Sequence, residues 1–215
     1  ASGMVGKGVL LECLDNPKIE KVLSIGRRTL DLKHPKLTQL AHADFSEFES
    51  VAQQLTGYDA CFHSMGVSAA GLNEKTYTER TYGYSLALAR TVLEHNPGSV
   101  FIYVSGQGTD SSEKGRTMWA RVKGKTENDI LNLGFKDAYM FRPGAIIPLR
   151  GIKSSTKLYQ FIYDYFMWLV KLIKLLAPKS VVNTTQIGKA MIASVEHGYD
   201  KKIIDPIDIQ NLAEK

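Results

Sequence analysis

Two short stretches hold residue types whose spacing could do chemistry. The first, Ala1-Ser2-Gly3-Met4-Val5-Gly6, is a run of small residues opening an apolar helical pattern. Small side chains let a backbone approach a pyrophosphate, and a helix N-terminus supplies N–H donors and a favourable dipole. With a glycine ahead of Ala1 the run would read G-x-x-G-x-x-G, a dinucleotide-loop pattern. The second stretch is Gly26-Arg27-Arg28, which closes a short apolar strand expected over Lys21 to Ile25. In NAD-binding units an acidic residue ~20 positions past the loop accepts hydrogen bonds from the ribose. Here no carboxylate stands there. Guanidinium groups suit a 2′-phosphate, so NADP is favoured over NAD; the bland alternative is a pair of solvated arginines. Asp44 is placed either to hydrogen-bond an adenine amino group or to cap a helix beginning near Phe45.

Elements that could position these residues alternate along the chain. Helical patterns cover Met4 to Leu14, Phe45 to Leu55, Glu74 to Glu94 and Thr117 to Leu133. Strand patterns cover Leu40 to Ala43, Asp59 to His63, Ser99 to Val104 and Ala138 to Phe141, with a last one over Lys202 to Ile204. Val181 to Ala190 reads as a capped helix start. Continuous apolar strands alternating with helices predict an α/β, three-layer Rossmann fold, a parallel sheet with helices on both faces. The phosphate-loop fingerprint needs a strand before the loop, so a first, central strand of roughly 5–10 residues is expected ahead of Ala1.

At 215 residues, 44% hydrophobic and 23% charged, the chain suits one soluble domain spanning 1–215, though length alone would permit two small ones. Cys13 and Cys61 sit in apolar runs, and neither spacing resembles a metal motif; no metal is expected. Buried, reduced thiols predict a cytoplasmic protein. The net charge of +5 comes from scattered residues, so no nucleic-acid partner is expected, and a nucleotide would account for part of it.

With these pieces in place the chain resembles the short-chain dehydrogenase/reductase superfamily. More narrowly it is similar to the atypical group that holds the Tat-interacting-protein oxidoreductase-like and NAD-dependent epimerase-dehydratase-like proteins. Further carriers are Ser64-Met65-Gly66, Val104-Ser105-Gly106, Val122-Lys123-Gly124-Lys125-Thr126-Glu127 and Phe141-Arg142-Pro143-Gly144. The resemblance implies that Ala1, Ser2, Gly3, Met4 and Val5 form the pyrophosphate loop and that Arg27, with Arg28 assisting, takes the adenosine phosphate. Ser64, Met65 and Gly66 would run under the adenosine, Lys123 would hold the nicotinamide ribose, and Pro143 and Gly144 would shape the turn beside the nicotinamide. Ser105 would lie near the reacting centre or, equally, cap local backbone at a strand end.

The superfamily's catalytic tyrosine stands four residues before its lysine, on the same helical face. Here that position is Trp119, and no tyrosine occurs between Thr109 and Asp137. An indole N–H donates a hydrogen bond but does not shuttle a proton. Ser105, Tyr82, Tyr103 or a water would have to serve instead; His63 could titrate near neutrality but reads first as structural. Otherwise hydride transfer is lost and the protein senses or carries NADP(H).

Residues 161–176 form the most apolar stretch, interrupted by Asp164, Lys171 and Lys174, and fall short of the ~20 apolar residues of a membrane span. A lid over the substrate side within 145–183, a homodimer surface and a membrane-surface helix are the open readings, the lid preferred. The expected function is an NADP-dependent oxidoreductase acting on a small carbonyl or alcohol, with Ser105 and Lys123 as candidate catalytic residues. The alternatives are a redox-inactive NADP(H)-binding regulator or scaffold and, more weakly, a sugar-nucleotide epimerase or dehydratase.

Overall fold

Val100–Val104 is the strongest strand pattern of the chain, and in the computed structural model, which describes residues 1–152 and 178–215, it becomes the largely buried strand β4. It pairs in parallel with β3 (Ala60–His63) on one side and β5 (Asp137–Phe141) on the other. The short β8 (Ile203–Ile204) follows in the order β3-β4-β5-β8. Elsewhere β1 (Val22–Gly26) pairs in parallel with β2 (Leu37–Ala41), and β6 (Ala145–Ile147) with β7 (Val181–Asn183). The α/β class with parallel pairing is as expected. The strands form three sheets, and β1 and β3 each carry a strand on one edge only among the described residues.

The chain divides into two compact units. One comprises Ala1–Ala41, Pro143–Asp200 and Ile204–Lys215. In it α1 (Met4–Asp15) packs on α5 (Thr184–His197) at close range. A Cβ on Gly8 would lie 2.6 Å from the Thr184 Cβ, so the small residue sets the approach of the two helices. Asn183 and Gln186 form a reciprocal capping box at the start of α5. A final helix, α6 (Pro206–Leu212), opens on Asp205 with proline in its first turn.

The other unit comprises His42–Arg142 and Lys201–Ile203. Here α2 (Glu74–Thr78), a π turn (Glu79–Gly83) and α3 (Tyr84–His95) replace the single helix expected over Glu74 to Glu94. The Thr81 carbonyl, within the π turn, accepts the Ser85 hydroxyl at 2.5 Å, and Ser85 Oγ lies 2.9 Å from His63 Nε2. The last helix of this unit is α4 (Met118–Leu131). Its Gly124 touches the loop before it: an added Cβ would fall 1.8 Å from the Asp110 carbonyl oxygen.

Two boundaries are corrected. The strand expected over Leu40 to Ala43 runs instead from Leu37, because the Gln39 side chain pins the preceding segment through the N–H of Leu30 and the carbonyls of Leu30 and Leu32. The helix expected from Phe45 is a 3-10 helix, Glu49–Leu55, so Asp44 does not cap it. Asp44 Oδ1 accepts the Ser46 N–H at 2.8 Å and its hydroxyl at 2.5 Å, closing a tight turn ahead of that helix. The aromatic stretch 161–176 lies outside the described residues, as does most of the 145–183 segment. No described helix is long and apolar enough to cross a membrane.

Candidate functional site

In the first unit the site begins at Gly3, the N-cap of α1. Its extended backbone, φ −75° and ψ 163°, turns the chain into the helix, and no side chain caps the first turn. That turn contains no acidic residue, and a Cβ at Gly3 would meet nothing within 4 Å. The first N–H groups of α1 therefore have no side-chain cap or carboxylate at the N-cap and first turn, with the positive end of the dipole behind them. Ala1, Met4 and Val5 are half-buried and Ser2 is exposed. Arg27 and Arg28 follow β1 directly, both exposed. Pro143 is buried and Gly144 half-buried just ahead of β6.

In the second unit Ser64 and Met65 are half-buried and Gly66 exposed, in extended chain just past β3. Asp44 is exposed as well; the Ser46 hydroxyl and N–H that it accepts hold its carboxyl below the usual range. Ser105, one residue past β4, is clamped on several sides. Its N–H donates to the Phe141 carbonyl at 2.9 Å, its hydroxyl donates to Glu127, and its own carbonyl accepts the Lys123 ammonium. Lys123 is thus held at the carboxyl end of β4, where open α/β sheets place their ligands. Burial lowers its pKa, against an opposing pull from Glu127.

Glu127 was not singled out as a site residue. It is fully buried and carries the Arg142 guanidinium, with Nε at 3.0 and 3.2 Å from its two oxygens and Nη2 also donating. Arg142 Nη2 reaches on to Ser111 Oγ at 2.5 Å. The available signal was spacing: Trp119, Lys123 and Glu127 recur every four residues and share one face of α4. Trp119 is half-buried against Gly108, whose φ of +87° suits only glycine; a Cβ there would be 3.4 Å from the indole.

The substitute proton donors are poorly placed for the task. Tyr82 donates to Asp129 at 2.7 Å, and that carboxylate, with burial, raises its pKa. Burial pushes the Tyr103 phenol far up. His63 is buried, stacked on Tyr103 with ring centroids 5.7 Å apart, and burial lowers its pKa to about 4. It is neutral near pH 7.

No family model matches the chain. It is 25% identical over 217 aligned positions to the mitochondrial protein FMP52 of Candida albicans, across 97% of this chain and 91% of the relative. It is 31% identical over 153 residues to mitochondrial fmp52 of Aspergillus fumigatus, where the match spans 68% of this chain and 64% of the relative. Among solved structures it is similar to the dTDP-glucose 4,6-dehydratase DesIV of Streptomyces venezuelae with NAD and TYD bound, with a TM-score of 0.67 at 16% identity over 94% of this chain and 72% of that one. The Bordetella bronchiseptica enzyme WbmF in complex with NAD+ gives 0.67 at 11% identity over 99% of this chain and 75% of that one. Likeness at such identity establishes the fold, which is Rossmann-type. The relatives' names overturn the expectation of a cytoplasmic protein: they are mitochondrial. Buried thiols at Cys13 and half-buried Cys61 suit any reducing compartment, so cysteine usage had no power to choose between the two.

Proposed function

We propose that the chain is an NADP(H)-binding oxidoreductase-like protein of the short-chain dehydrogenase/reductase superfamily, acting on a small carbonyl or alcohol. The observation that carries the reading is the uncapped, carboxylate-free N-terminus of α1 behind Gly3, in a unit that also exposes Arg27 and Arg28 at the end of β1. A dinucleotide pyrophosphate matches the first and a 2′-phosphate the second. The NAD named for the similar structures favours a nicotinamide dinucleotide of some kind, and the arginine pair supports reading it as NADP. Within the superfamily, the Tat-interacting-protein oxidoreductase-like group remains the finer resemblance.

If NADP binds, Lys123 would hold the nicotinamide ribose, and the bound cofactor would supply hydride chemistry. With Trp119 in the tyrosine position, the ammonium of Lys123 is the titratable group best placed to move a proton at this end of β4. NADPH binding is read by its fluorescence on titration with the protein. Arg27→Ala should weaken it about tenfold, the loss of one charge-assisted phosphate contact, and leave NADH unchanged. No NADPH binding by the wild type would sink the proposal. A second reading, a redox-inactive NADP(H) sensor or carrier, is favoured by the packing of Trp119 on Gly108, which fills the proton donor's place with an indole. Turnover across a carbonyl panel separates the two: activity that appears only in Trp119→Tyr supports the second.

A further inference from the structure

The chain Arg142–Glu127–Ser105–Lys123 lies wholly within one unit and runs from the end of β5 to the end of β4 through α4. Glu127 is fully buried, and its carboxylate is satisfied by Arg142 and the Ser105 hydroxyl. A buried ion pair of this kind is weak as a source of stability, because taking both charges out of water consumes most of their attraction. Its geometric effect is plainer. Arg142 donates to both oxygens of the carboxylate through Nε and Nη2 and so fixes its plane. That carboxylate holds the Ser105 hydroxyl, while the Phe141 carbonyl holds the Ser105 N–H. Ser105 is thus held at both its N–H and its hydroxyl, and its carbonyl is the hydrogen-bond partner of the Lys123 ammonium among the described residues.

We propose that Glu127 is a positioning residue for Lys123, acting through Ser105 to fix the carbonyl that anchors the ammonium at the carboxyl end of β4. The proposal rests on the reading above in giving Lys123 a cofactor to hold, but its geometric content does not need one. The lysine side chain has four rotatable bonds and would otherwise sample many directions. Ser105 is accordingly a linker whose hydroxyl is committed inward.

The test uses two variants and two readouts on the whole chain. Glu127→Gln removes the charge and keeps the shape; Ser105→Ala leaves the Glu127–Arg142 pair in place and cuts only the hydroxyl link, so it serves even where Glu127→Gln fails to fold. In protein carrying 15N-labelled lysine, hydrogen exchange of the Lys123 ammonium should quicken about tenfold in both, as expected from losing one charge-assisted hydrogen bond in the chain. NADPH affinity should fall by a similar factor in each, with the double variant no worse than either single one. Wild-type exchange at Lys123 in Ser105→Ala would overturn the proposal, as would additive losses of affinity. Quickened exchange in both variants, together with a wild type that binds no NADPH, would leave the positioning intact and sink the proposed function instead.

Discussion

At the scale of single residues, burial separates groups that the sequence leaves alike. His63 could be read as a group titrating near neutrality, yet it is enclosed between Ser85 and Tyr103 and its pKa is lowered to about 4. In the unfolded chain an ordinary histidine titrates near 6.5. Between those values the unfolded state binds the extra proton, so stability is full above pH 6.5 and declines as pH falls toward 4. The loss should be about 2 kcal/mol, read from urea midpoints at pH 7 and pH 4.5. His63→Gln should flatten that slope, and an unchanged slope would refute the assignment. The carboxylates with lowered pKa, among them Asp110 and Asp137, lose their contribution at lower pH, through their folded values beneath the usual 3.8. Lys123 and Trp119 were legible in the sequence because their spacing is helical and local. Glu127 was not, because a carboxylate in mid-helix ordinarily marks a solvated face, and only tertiary packing turns it inward.

At the scale of elements, the loop from Ser105 to Thr117 shows why a site segment can lack regular structure and still be fixed. Asp110 accepts the Ser112 N–H at 3.0 Å and the Gly115 N–H at 2.7 Å, and Asn128 on α4 donates to the Ser111 carbonyl at 3.0 Å. The helix meets this loop at Gly124. Gly124→Ala should cost about 3 kcal/mol, because the added methyl collides with backbone rather than with a side chain that can turn away. A denaturation midpoint within error of wild type would contradict that contact. Gly8→Ala should likewise weaken the packing of α1 on α5, by roughly 1–3 kcal/mol on the same measurement. Long helices and the β4 run were readable from their periodicity, whereas β6 and β7, three residues each, are too short to carry a pattern. The π turn was equally hidden, since one wide turn leaves the apolar spacing of Glu74–His95 almost unchanged.

At the scale of the whole molecule, alternating strands and helices were enough to anticipate parallel pairing, and the solved structures it resembles carry the same fold. The division into two compact units was not legible, because the first unit gathers segments from both ends of the chain. Strand position should set the ranking of backbone protection. Amides of β4, buried and flanked on both sides, should exchange slowest, and those of β1 and β3 faster by an order of magnitude or more. Equal protection in all three strands would contradict the sheet order. The same strand arrangement bears on how the protein behaves at high concentration. A strand edge with no strand partner presents a row of backbone donors and acceptors that a second chain can copy, which is the usual seed of sheet-mediated aggregation. A charged residue placed on an outer strand should therefore lower turbidity at high protein concentration, and unchanged turbidity would show that strand edges do not set the solubility.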